Sequence, residues 1–82
     1  MEAVKTKSIP AHTERRIAHA LIERRRLGDE RGRPNLEYIR IWKNADGSTE
    51  YTIRSYVRRH DGKQLHISIV VETPAGEIRF VH

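Results

Sequence analysis

Histidine, tyrosine and arginine are the residue types in this chain that could move protons on a phosphate, and a strand pairing can gather four of them. His66 would lie beside Tyr56, with Arg54 and Arg58 two residues to either side of the tyrosine. Such a group could cleave RNA without a metal, with His or Tyr transferring the proton and the arginines neutralising the charge that grows on the phosphorane. One usable histidine is a thin basis for an enzyme. His12 and His19 stand seven apart, on one face if helical, but two ligands do not make a zinc site, and the chain has no cysteine to complete one. The acids have simpler roles: Glu14 and Glu23 belong to a helix, Asp29 and Glu30 to a loop, and Asp46 and Asp61 to turns. Neither a glycine-rich phosphate loop nor a nucleophile elbow is present. The expectation is a binding protein rather than an enzyme, without cofactor or metal.

Binding is suggested by charge. The 82 residues carry a formal net charge of +5, and twelve of the sixteen basic residues are arginine, whose planar fork pairs phosphate or carboxylate through two hydrogen bonds. The densest run is "ERRRLGDERGRP", with Arg24, Arg25, Arg26, Arg31 and Arg33. Successive helical residues point about 100° apart, so the triplet cannot meet one flat partner. Its stems are placed to cover the edge of a core and its charges suit a helix C-terminus. Arg31 and Arg33, in a loop that can adapt to its ligand, are the better phosphate candidates.

The elements that must position these groups follow from punctuation and period. Pro10 suits a helix first turn, Thr13 is an alternative N-cap, and Ile17, Ala18, Ala20, Leu21 and Ile22 make an apolar stripe at helical spacing. Gly28 is a natural stop, so the reading is a partly ordered arm over 1–10, a helix over 11–27 and a connecting loop over 28–35. Beyond it the period becomes two, with strands expected from Leu36 to Lys43, Ser48 to Arg59, Lys63 to Glu72 and Glu77 to His82. The whole is one domain of the α+β class: a two-layer sandwich with one N-terminal helix packed on a four-stranded antiparallel meander in the order 1-2-3-4.

Turn length then decides which residues share a face. Three-residue loops closed by glycine bulges at Gly47 and Gly62, and an even loop in "TPAG", place Ile39, Ile41, Tyr51, Ile53, Val57, Leu65, Ile67, Ile69, Val71, Ile78 and Phe80 under the helix. The same registers leave Leu36, Tyr38, Arg40, Trp42, Arg54, Tyr56, Arg58, His66, Val70 and Val81 on the open face, with Thr52, Gln64, Ser68, Arg79 and three acids, Glu50, Glu72 and Glu77, among them. Rings that can stack on bases, interleaved with arginines that can hold phosphates, are the means of an exposed nucleic-acid-binding sheet. Tyr38, Arg40, Trp42, Arg54, Tyr56, Arg58 and His66, with Arg31 and Arg33 adjoining, are the candidate contacts. The face is polarised: Trp42, Glu50, Glu72 and Glu77 at one end, Arg58, Arg59, His60 and Lys63 at the other, where phosphate would be favoured.

The functional expectation is a small basic module that binds RNA or DNA without catalysis. The alternative is a protein-interaction module, such as an inhibitor or accessory factor from a mobile element, holding an acidic protein or forming a homodimer through the same face, with edge strands 1 and 4 available for strand pairing. No apolar run approaches the length of a membrane span and the N-terminus lacks the apolar stretch of a signal peptide, so a cytoplasmic location is expected.

Overall fold

A computed structural model describes residues 9–28 and 36–81. The expected arm over 1–10 and loop over 28–35, including Arg31 and Arg33, fall mostly or wholly outside the described residues. One helix, α1 (Ala11–Glu23), is followed by β1 (Leu36–Lys43), β2 (Thr49–Arg59), β3 (Gly62–Glu72) and β4 (Ile78–Phe80). The strands form one antiparallel sheet in the order β1-β2-β3-β4, the expected meander, and the helix covers one of its faces.

Pro10 stands just before the helix as its N-cap residue, and Glu14 N–H bonds back to its carbonyl. The helix ends at Glu23, four residues short of the expected stop. Arg25 takes the left-handed conformation (φ 57), Arg25 N–H donates to Ile22 O, and Arg26 N–H donates to Leu21 O. This pair of bonds is the Schellman arrangement, with an arginine where glycine is usual. Gly28 ends nothing. Its N–H instead donates to Tyr56 O of β2, attaching the segment after the helix to the sheet.

Ile17 and Leu21 of the helix meet Ile53 and Val70 of the sheet, all fully buried, with Tyr38 and Tyr51 closing one side. Removing each of the four aliphatic side chains from water contributes about 1.5–3 kcal/mol. Polar groups complete this interior. Ser55 Oγ donates to Arg26 O at 2.5 Å, Arg26 Nη1 donates to Ser68 Oγ at 3.1 Å, and both serines are fully buried. At the other end of the helix Thr13 Oγ1 donates to Glu72 Oε2 at 3.2 Å, and Arg16 Nη1 donates to Gly76 O at 2.5 Å.

The turns correct the expected registers in part. The first is the three-residue loop closed by Gly47 (φ 92), so Ile41 faces Tyr51 as expected. The third is the same kind of loop, closed by Gly76 (φ 89), rather than an even one, so Phe80 faces Val70 and Ile78 faces Glu72. The second has two residues, His60 and Asp61, between the paired Arg59 and Gly62, which moves every partner of β3 by one. A β-bulge at Ile39 also shifts the start of β1, so Tyr38 rather than Ile39 stands beside Ile53.

A shift of one residue exchanges the faces of a strand. Ile39, Leu65, Ile67, Ile69 and Val71 are therefore on the open side, not under the helix. Leu36, Tyr38, Gln64, His66, Ser68, Val70 and Glu72 are on the helix side, not exposed with the arginines. The reason is packing: the Arg26–Leu27 segment lies close against β2 and β3, and small serines with hydroxyls to offer fit there where leucine and isoleucine would not. Leu65 and Ile67 are consequently 52% and 51% exposed.

Candidate nucleic-acid interface

Strands β2 and β3 are longer than their neighbours. Among the described residues, β1 begins opposite Ser55 and β4 ends opposite Val70, so the only strand partners of Tyr56–Arg59 and Gly62–Leu65 there are each other. The body ends where Leu27 is buried and Gly28 bonds Tyr56 O. What extends past it is a two-stranded arm carrying Arg58, Arg59, His60 and Lys63, all exposed, against the single carboxylate of Asp61. Arg59 is held in place by its Nε–H bond to Gln64 Oε1 at 2.7 Å. Lys63 Nζ stands 5.3 Å from the centre of the Tyr56 ring.

Of the residues expected to meet nucleic acid, Arg40, Trp42, Arg54, Tyr56 and Arg58 share the open face. The Arg40 guanidinium lies 4.6 Å from the Trp42 ring centre, and the indole is 52% exposed. Arg54 Nη2 bonds Glu37 Oε2 across the strands at 2.5 Å; this bond and the carboxylate's charge raise the guanidinium pKa above its ordinary value. Arg54 is thus engaged with a carboxylate as well as lying on the face. Glu50 pairs with Trp42 at the opposite end from the arm, whereas Glu72 turns inward to Thr13 and Tyr51. The far end of the open face thus loses Glu72, while Glu37 joins that face beside Arg54.

Tyr38 and His66 leave the candidate site. Tyr38 is 7% exposed, edge-on to Tyr51 with ring centres 6.0 Å apart, and burial first, with Glu14 and Tyr51 adding, raises its pKa far above that of a free phenol. His66 pairs with Ser55 on the helix side, while Tyr56 pairs with Leu65 on the open side. The His–Tyr–Arg grouping that would have served RNA cleavage is therefore divided between opposite faces of the sheet. Among the described residues no group of three or more His, Asp or Glu side chains could hold a metal ion.

Two members of the arginine triplet, Arg24 and Arg26, make structural contacts. Arg24 lies 4.4 Å and Arg26 5.8 Å from the Phe80 ring centre, and Arg26 also ties Ser68 and Ser55. The residues given too little weight by sequence reasoning are Arg59, His60 and Lys63, whose signal was their density around one Asp-Gly turn. A second surface, a shallow cleft between α1 and the third turn, is lined by Arg15, Arg16, His19, Glu23 and Gly76–Ile78. Its charges largely answer one another, with His19 near Glu23 at 3.3 Å. No described helix is long and apolar enough to cross a membrane. Compared with known proteins, the chain matches no family model, and no curated protein or solved structure resembles it at a significant level.

Proposed function

We propose that the protein is a small basic nucleic-acid-binding module without catalytic activity, which grips the phosphate backbone with its hairpin arm. The observation that carries this reading is the arm itself: Arg58, Arg59, His60 and Lys63 on a two-stranded ribbon uncovered by other described elements. A ribbon of this width can approach a backbone from either side, and its charges are close enough to contact neighbouring phosphates. Arg40 and Trp42, with Tyr56 between them and the arm, offer a continuation along the open face. An arginine-backed indole stacks on bases of any sequence.

The test is a titration of fluorescent RNA and DNA oligonucleotides across a salt series. Replacing Arg58 and Lys63 with alanine together should weaken binding to all sequences alike and lower the salt slope by about two. Tyr38→Phe and His66→Gln, on the far side of the sheet, should change neither. Binding undetectable at about 0.1 M salt, where non-specific affinities are still measurable, would falsify the proposal.

A second reading, a module that holds an acidic protein through the open face, is favoured by the aliphatic residues that the registers expose there: Ile39, Leu65, Ile67, Ile69 and Val71. Aliphatic side chains give bases nothing to stack on, and an apolar strip with a charged surround is a usual form of protein contact.

A further inference from the structure

The sheet has three edges, and two are defended. The outer edge of β1 is broken by the bulge at Ile39, and β4 is only three residues long. Bulges and short strands are ordinary protections against unwanted pairing. The third edge arises because β4 stops opposite Val70, leaving β3 from Gly62 to Ser68 without a strand beside it among the described residues. Along this edge the pairing with β2 has no register shift, and Leu65 and Ile67 on it are more than half exposed.

Which of its backbone groups face outward is fixed by the ladder. Val81 N–H donates to Ile69 O, so Ile69 points its peptide groups toward β4, and by alternation Lys63, Leu65 and Ile67 point theirs the same way. Three consecutive outward-facing residues, with Leu65 at the centre, form a row that a two-fold axis can pair with itself.

We infer that two copies of the chain associate through this edge, β3 against β3 in antiparallel register centred on Leu65, making one continuous eight-stranded sheet. In that register Leu65 meets the second copy's Leu65, and Lys63 meets its Ile67. Like charges are not opposed, and about six backbone hydrogen bonds can form. On the open side Leu65 and Ile67 from both copies come together as one apolar cluster, removing much of the exposure that the single chain leaves. On the helix side Gln64 meets His66, so two basic side chains do not face each other there. Other registers are poorer: a slip toward Ile69 runs into the Val81 backbone, which already occupies the position beside it, and a slip toward the tip brings lysine nearer to lysine. Arg26 Nη1 touches Ile67 O only at 3.4 Å, and a carbonyl has a second lone pair for the new donor. This association does not depend on nucleic-acid binding.

Sedimentation equilibrium of the full chain is the measurement, with the mass expected to approach twice 9.6 kDa as concentration rises. Leu65→Pro should yield a monomer with an unchanged circular dichroism spectrum, because the lost N–H is an outward one and the β2–β3 ladder keeps all its bonds. If that variant fails to fold, Ile67→Arg decides instead: it sets arginine against the partner's lysine at an already exposed position and should raise the dissociation constant about tenfold or more. Ile39→Thr, in the exposed bulge of β1, should leave the dimer intact. A wild-type mass that stays monomeric up to about millimolar concentration, a dimer indifferent to both edge variants, or a dimer lost in Ile39→Thr would each overturn the inference.

Discussion

Arg25 is the one described residue other than glycine with positive φ, and it sits in the turn that ends the helix. A left-handed arginine costs about 1–2 kcal/mol relative to the same residue in the right-handed region, whereas glycine adopts either readily. Arg25 is exposed and its main-chain bonds are those any residue could make. Arg25→Gly should therefore raise stability by about 0.5–1 kcal/mol, part of the gain being offset by the greater freedom of glycine in the unfolded chain. A urea titration would register this as a higher midpoint at unchanged slope. A lower midpoint would mean that the Arg25 side chain contributes more than its exposure suggests. In the first turn, Asp46 accepts bonds from the Ser48 hydroxyl at 2.6 Å and the Ser48 amide at 2.9 Å, which hold its carboxyl below the usual pKa and order that turn.

At the scale of elements, two fully buried serines join the strands to the segment after the helix, a feature that the pattern of the sequence concealed. Ser68 looks like a solvent-facing residue when strands are read by alternation, whereas Ser55 falls on the helix face by the same reading; in β3 the more apolar alternate set, Leu65, Ile67, Ile69 and Val71, looks like the core set. Alternation identified the strands and their order but assigned β3 to the wrong side. The decisive information was the length of the second turn, and "RHDGK" fits loops of two and three residues equally well. The Ile39 bulge had no signature at all, since bulges of this kind need no special residue. Helix and meander were legible because the helical stripe, the turn glycines and the period of two agree; of the candidate site, the shared face of Arg40, Trp42, Arg54, Tyr56 and Arg58 was legible, since they lie on stretches whose face both readings share. If the serines serve as described, Ser55→Ala leaves Arg26 O buried without its donor and should cost about 1–3 kcal/mol, far more than an exposed serine would. Thermal unfolding with the neighbouring Thr52→Ala as a reference would separate the two cases.

For the molecule as a whole, the proposed function divides the work between body and arm. Among the described residues the helix and the part of the sheet it covers make the core, whereas the arm has no second layer, so on that proposal it can present its charge without disturbing what holds the fold. The edge pairing would set two such bodies side by side with their arms directed oppositely, so a nucleic acid meeting both would have to span the assembled sheet. A change in apparent site size between wild type and the edge variants would report that arrangement.

The bonds that hold the N-terminal end of the helix, Thr13 to Glu72 and Arg16 to Gly76, join residues 59 and 60 positions apart, whereas each strand of the meander pairs with the next in sequence. Closing so large a loop costs chain entropy before any contact repays it, while a hairpin repays at once. The sheet should therefore assemble first and the helix dock onto it late. Thr13→Ser and similar mild changes at the helix–turn contact should chiefly accelerate unfolding, and changes at Ile53 or Val70 should chiefly slow folding. Stopped-flow rates in denaturant would distinguish the two; the reverse partition would place helix docking in the rate-limiting step. The same two bonds that look like finishing touches in the folded chain would then govern how long it stays folded.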